Sequence, residues 1–366
     1  MRRVVRSLAA VACIGLIVSA CGALPGSHGE ASDDTTAAAP SVESVTPLDD
    51  PKTYEGPSTA SLADTEIEPI ADNPKPELPT TVTDAQGTKV TVKDASRVLA
   101  LDIYGSLSQT VFELGLGDRL VGRGASTSFD EAADLPLVTQ NGHDLNAEAI
   151  LELAPTLIIT DTSLGPWDVI MQMRDAGIPV VVVDSHRGID NVRDLTMEVA
   201  RALGVPAAGR ELAKRTQSEI RQTVSAIKDI APSNLQSKLR MVFLYVRGQA
   251  GIYYMFGKES GADSLIGALG GYDASREINW SGMKPVTDEA IIAAQPDVIL
   301  MMTKGLDSVG GVDGLLEQLP AIANTPAGQK QRIVDMNDSQ ILSYGPRTAD
   351  VLNALAVAVY APEDLP

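Results

Sequence analysis

Residues 145–160, LNAEAILELAPTLIIT, return in altered form as residues 286–301, VTDEAIIAAQPDVILM. At one constant offset Glu148 matches Glu289, Ala149 matches Ala290, Ile150 matches Ile291, Pro155 matches Pro296 and Ile158 matches Ile299. Each copy reads as a short amphipathic helix carrying the Glu, a Pro that stops it, and a continuous apolar run suited to a buried parallel strand. Helix, Pro and apolar strand is a common unit, yet packing does not demand an acid on the same turn of both copies. The pattern predicts an α/β fold of two Rossmann-like lobes in one chain. A ligand would bind in the cleft between them, and a partner would grip both halves.

Outward from the repeat, the N-terminus begins with Arg2, Arg3 and Arg6, continues through an apolar stretch over 8–18, and reaches VSAC at Cys21 followed by Gly22. This reads as a signal peptide over 1–20 ending in a lipobox, with Cys21 lipidated. The apolar stretch is short for a membrane span. Cys13 and Cys21 are the only cysteines, so a mature body has no thiol for a disulfide, a zinc site or nucleophilic attack. From Gly22 to Leu78 there are twelve Asp or Glu against two Lys and no apolar periodicity, and 21–78 is expected to be a disordered acidic tether. A formal charge of −19 offers nothing to attract nucleic acid or an anionic membrane. The membrane would be held through the lipid anchor alone.

The body divides into an N-terminal lobe over 79–206, an interlobe helix and connection over 207–237, and a C-terminal lobe over 238–366. TVTDAQGTKVTVKD (81–94) alternates about a Gln-Gly turn as a hairpin does. VLALD, a helix over about 106–116 and the strand IPVVVVDSH (178–186) follow. Leu212, Thr216, Ile220, Val224, Ile227 and Ile230 form a helical stripe, on a helix that would span roughly 35 Å. One stiff helix between lobes implies modest closure on ligand. A last helix is expected from about Arg347 to Tyr360.

Lipobox, acidic tether, hairpin, interlobe helix and paired Glu helices together resemble the substrate-binding proteins of ABC importers, and more narrowly the type that delivers vitamin B12, iron siderophores and haem. The resemblance implies a monomer whose partners are an ABC permease and its ATPase. Glu148 and Glu289 would dock on permease arginines.

The residues also bear on the ligand. The body has only His143 and His186, too few for a zinc or manganese site. His143 lies in the loop NGHDLN (141–146), just before the Glu148 helix, where α/β lobes present ligands. In LRMVFLYVRG (239–248), Tyr245 and Arg247 fall on one face of a strand and Val242, Leu244 and Val246 on the other. A half-buried Tyr with a partner for its hydroxyl is one explanation. Another is that a phenolate ligates ferric iron while the guanidinium supports the anion. His143 and Tyr245 would then hold haem iron from opposite sides.

That pattern resembles the haemin-binding lipoproteins of actinobacterial haem importers, the HmuT type. The resemblance implies ferric haem as the transported ligand, axial roles for His143 and Tyr245, and a supporting role for Arg247. A haem donor protein would be a further partner. Tyr253, Tyr254, Met255, Trp280 and Met283 are candidate walls for a porphyrin, Tyr344 and Arg347 at a helix start are candidates for its propionates, and His186 is the reserve axial ligand. A siderophore or cobalamin binder of the same fold is the alternative. An exported enzyme is disfavoured, because no GxSxG, HExxH or phosphate-cradling glycine loop occurs, and GALGG (267–271) lacks the strand-turn-helix context of a nucleotide site.

Overall fold

The computed structural model describes residues 38–62 and 66–366. The signal peptide, Cys21 and the first part of the acidic stretch lie outside the described residues. Ser58–Ala60 form β1. A hairpin follows, β2 (Thr80–Thr83) antiparallel to β3 (Lys89–Val92), as its alternation predicts. β4 (Val98–Leu101), β7 (Leu157–Thr160) and β8 (Val180–Val182) make the parallel sheet of the N-terminal lobe, in the order β4-β7-β8. Between them β5 (Thr139–Gln140) and β6 (Asp144–Leu145) pair as a small hairpin.

The second lobe holds a seven-stranded sheet. Its strands are β9 (Arg240–Arg247), β10 (Ile252–Phe256), β11 (Tyr272–Asp273), β12 (Met283–Pro285), β13 (Val298–Met302) and β14 (Ile333–Met336), joined by β1. The order is β1-β14-β13-β9-β10-β12, with β11 on β9. β1, β14, β13 and β9 run parallel, whereas β10 returns antiparallel to β9 and β12 is antiparallel to β10. The interlobe helix Pro206–Ile230 starts on a Pro, which suits a first helical position. It buries Leu212, Thr216, Ile220 and Ile227 of the predicted stripe. Among the described residues no helix is long and apolar enough to cross a membrane.

The repeat is more faithful in space than in sequence. The first Glu helix, Ala147–Glu152, is capped by Asn146, whose side chain accepts from the amide of Ala149 at 3.1 Å. The second, Asp288–Ala294, is capped by Thr287, which accepts from Ala290 at 3.2 Å. Each ends on a left-handed residue before its Pro, Ala154 at φ 43° and Gln295 at φ 41°. Each is gripped at its C-terminus by an arginine at the start of a neighbouring strand, Arg97 just before β4 and Arg240 opening β9: Arg97 Nε donates to the carbonyls of Leu153 and Ala154 (3.0 and 3.2 Å), and Arg240 Nε to those of Ala294 and Gln295 (3.2 and 3.1 Å). These cations satisfy carbonyls that a helix end leaves without intrahelical partners. Behind the helices, β7 and β13 are buried along their whole length.

One expectation fails. Over its described residues, 38–62 and 66–78, the acidic stretch is packed rather than disordered. Val42 is 3% exposed, and β1 extends the C-terminal lobe's sheet at the edge of β14, Ser58 facing Val334 and Ala60 facing Met336. The chain then reaches the N-terminal lobe, where Ile70 donates to Glu113 and Glu77 to Gly204. Gly115 has φ +78° and meets Ala71 so closely that a Cβ would lie 1.8 Å from its carbonyl oxygen. The physical reason is that order here is supplied from outside the segment. A three-residue strand and single anchors at Val42, Leu62, Ile70 and Leu78 carry no local period, and gain order only from the edge and cores they cover. Arg332, 1% exposed, helps fasten it by donating to Ser58 Oγ at 2.8 Å and stacking over the ring of Tyr54 at 4.7 Å.

Candidate functional site

The site residues of the C-terminal lobe stand at the carboxyl end of β9, where parallel strands present ligand-binding groups. Pairing with β10 sets Tyr245 opposite Tyr254 and Phe243 opposite Phe256, and pairing with β12 sets Phe256 opposite Met283. Directly opposed residues share a face of the sheet, so these five side chains form one aromatic and sulfur-bearing surface. The rings of Tyr245 and Phe256 are 5.9 Å apart and inclined by 21°, those of Phe243 and Phe256 5.2 Å and 29°. Phe243 and Phe256 are buried, Tyr245 and Tyr254 are half-buried, and Met283 is 63% exposed at the sheet's edge.

Arg247 lies over the Tyr245 ring with its guanidinium carbon 4.5 Å from the centroid. It is held from behind: Nη2 donates to Asp338 Oδ2 at 2.5 Å and Nη1 to the carbonyl of Val246 at 2.8 Å. Asp338 follows β14 and also accepts from the amide of Lys304. The guanidinium is thereby fixed in a stacked position rather than left to swing. A planar cation clamped over a phenol ring can stabilise negative charge on that phenol and in its vicinity.

In the N-terminal lobe, His143 stands exposed where the β5–β6 loop enters β6. Asn141 at φ 51° and Gly142 at φ 84° turn the chain just before it. Its carbonyl accepts from Gly165 at 3.3 Å, so the backbone is tied while the imidazole faces outward. His186, also exposed, has Nε2 3.5 Å from Asp190 Oδ1. Among the described residues, no three His, Cys, Asp or Glu side chains converge as a metal site would require.

Three of the candidate walls, and one candidate for the propionates, are elsewhere. Tyr253 and Trp280 pack against the core on the other face of the sheet, a core to which the buried Met255 belongs. Trp280 Nε1 donates to the carbonyl of Met255 at 2.8 Å, and Tyr253 reaches Gln318 Oε1 at 3.4 Å. Strand alternation is the reason, since Tyr254 faces Tyr245 and its neighbours must face away. Tyr344 is a core residue: its hydroxyl donates to the carbonyl of Gly261 at 2.5 Å, and burial pushes its pKa well above the usual range. Arg347 does stand between the lobes. With Tyr104, Gln109, Ser128 and Ser339 it lines a cavity of about 240 Å³, and its Nε donates to Asp350 Oδ2 at 3.1 Å. Ser128 and Ser339 touch across that junction at 2.9 Å, and the amide of Ile189 donates to Ser264 Oγ at 3.0 Å.

Sequence reading passed over a buried charge cluster at the carboxyl ends of the N-lobe strands. Arg187, 4% exposed, has Nη2 2.5 Å from Asp161 Oδ2 and 3.6 Å from Asp102 Oδ2, and sits 5.1 Å from the Tyr104 centroid. Ser106 Oγ donates to Asp102 at 2.7 Å. Burial, and then the charge of Asp102, raise the Asp161 carboxyl, against the pull of Arg187. The signal was present, because VLALD and LIITD each end an apolar strand on an acid. Glu148 and Glu289, by contrast, are both exposed, two residues after their caps.

Comparison with known proteins places this geometry in context. Residues 103–339 match the model of the periplasmic binding protein family. The solved heme binding protein HmuT superposes with a TM-score of 0.80 and is 41% identical, covering 85% of this chain and 99% of that one. Alanine variants of that protein have also been solved, including replacements of a tyrosine and an arginine two residues apart and of a histidine. The cobalamin-binding protein of Halobacterium salinarum is 26% identical over 287 residues, 77% of this chain and 74% of its own length. The ABC transporter substrate-binding lipoprotein YvrC of Bacillus subtilis is 25% identical over 286 residues, 77% of this chain and 86% of its own. The two-lobed α/β architecture and these matches agree, and the chain belongs to the periplasmic binding protein family.

Proposed function

We propose that this protein is an extracytoplasmic substrate-binding protein, not an enzyme, that binds ferric haem between its lobes and delivers it to an ABC permease. Tyr245 and His143 are the axial ligands and Arg247 supports the tyrosine. Tyr254, Phe256 and Met283 supply the apolar wall beside Tyr245, and Arg347 stands at the junction as a partner for a propionate. The observation that carries the reading is Arg247, clamped by Asp338 and stacked over Tyr245. The same tyrosine-to-arginine spacing was targeted in the HmuT variants. An exposed imidazole in the N-terminal lobe suits an iron held by the phenol of the other, whose coordination it would complete. Lipidation of Cys21 would keep the protein at the membrane, as the word lipoprotein implies for YvrC. Glu148 and Glu289 would dock on the permease.

The test is a visible absorption titration of the chain from Gly22 onward with ferric haemin, repeated with His143→Ala and Tyr245→Ala. Saturation at one equivalent, with a Soret band altered by each substitution, is the expected result. A wild-type spectrum no different from that of a control protein would overturn it. Cobalamin is the second reading, because the Halobacterium relative carries that name. Cobalamin binding without haemin binding would transfer the proposal to that ligand. For docking, Glu148→Arg with Glu289→Arg should abolish uptake and spare haemin binding.

A further inference from the structure

Six large apolar side chains are exposed among the described residues, and two of them, Leu151 at 47% and Ile292 at 45%, occupy the same place in the two copies of the repeat. Each lies three residues after a matched acid, Leu151 after Glu148 and Ile292 after Glu289. Residues three apart on a helix share a face, so each Glu helix presents one carboxylate and one aliphatic side chain side by side. Single exposed apolar residues are ordinary. A matched pair, on helices that agree position for position in side-chain cap, buried Ile, terminal arginine and left-handed end, is a duplicated surface. The inner face of both helices is already filled by Ile150 and Ile291, which are fully or almost fully buried. Leu151 and Ile292 therefore have no part in either lobe's core.

From this we infer that Leu151 and Ile292 are a second pair of docking residues, and that the partner is a two-fold symmetric membrane permease offering one basic group and one apolar socket on each half. The inference rests on the docking role proposed above for the two acids and adds what lies next to them. A partner built from two identical subunits repeats its own surface, and this chain repeats a complementary one within a single polypeptide. The acids would steer the encounter and set its salt dependence, whereas the aliphatic pair would control how long the complex lasts.

The experiment replaces the chromosomal copy with Leu151→Asp/Ile292→Asp and measures haemin uptake at limiting haemin, alongside haemin titration of each purified full chain. Uptake is expected to fall by about tenfold or more, as for truncated central interface residues, with the haemin titration unchanged. The exchange variant Leu151→Ile/Ile292→Leu should retain uptake. Wild-type uptake in the double-Asp variant would overturn the inference. If Glu148→Arg/Glu289→Arg also supported uptake, or the wild-type chain failed to bind haemin, the underlying reading would fall instead. A wild-type chain that sediments as a dimer, and is made monomeric by the Asp substitutions, would assign the face to a second copy and equally overturn it.

Discussion

Arg332→Met tests whether a buried, unpaired cation can be a net stabiliser. Arg332 makes no ion pair among the described residues; its three short hydrogen bonds go to Ser58 Oγ at 2.8 Å and the carbonyls of Ala358 and Val359 at 2.7 and 2.9 Å, and a long one reaches the carbonyl of Gly56 at 3.5 Å. The two carbonyls lie at the C-terminal end of the helix Thr348–Tyr360, where the helix lacks its own donors and carries partial negative charge. Burial lowers the guanidinium from 12.5 to about 10, so keeping it charged at neutral pH costs about 3 kcal/mol. Against this, three hydrogen bonds from a charged donor contribute about 1.5–3 kcal/mol each. Methionine fills similar space and removes both contributions, and the bonds outweigh the relief by about 1.5–6 kcal/mol. Equilibrium urea unfolding of the chain from Gly22 onward should show a lower midpoint with an unchanged slope. A variant as stable as wild type would refute the reasoning, and would mean that the helix end and Ser58 find other donors once the arginine is gone.

Three further outcomes follow from the same geometry. A chain that begins at Pro79 loses β1 and Val42, whose burial alone is worth about 1.5–3 kcal/mol, and should unfold at lower urea and bind a hydrophobic dye; unaltered unfolding would show the segment to be dispensable. Burial raises the Asp335 carboxyl above its ordinary 3.8, opposed by the hydroxyls of Thr303 and Thr59. The native state therefore holds that proton more tightly than the unfolded chain, and the contribution, full below 3.8, is lost as pH rises through the raised value. Asp335→Asn should gain stability relative to wild type as pH rises from 3.8 through the raised value, and a difference that stays flat or shrinks in urea midpoints would contradict this. Arg97→Ala and Arg240→Ala should each destabilise by about 1–3 kcal/mol through loss of their carbonyl bonds. They act in separate lobes, so the double variant should be additive within about 0.5 kcal/mol, and a larger coupling would show that the two helix ends are not independent.

The repeat, the buried strands β7 and β13 and the interlobe helix could be read from residues alone, because each is written locally as an apolar run or a helical stripe. The pairing of Tyr245 with Arg247 followed from strand alternation. What escaped was everything set by distant contact. β1 is ordered by β14, and Asp102, Asp161 and Arg187 meet only when three strands end at one place. Alternation forbids Tyr253 and Tyr254 from sharing a face, yet only the register with β9 decides which of them joins Tyr245. Tyr344 sits beside Arg347 in sequence but belongs to the core, because a tight approach to Gly261 draws its hydroxyl inward.

The pairing of β1 with β14 bears on how the protein is made. Ser58 and Arg332, which bond across that edge, are 274 residues apart, and Thr46 and Asp364 are separated by 318. An N-terminal segment emerges first during synthesis, and here it must wait for nearly the whole chain before its partner exists. Contacts of such long range slow folding and leave a sheet edge open in the interim. The C-terminal lobe can close that edge only after the last strand and helix have appeared. Correct folding of this protein is thus an event of the completed chain, and a truncation near either end removes half of the same seam.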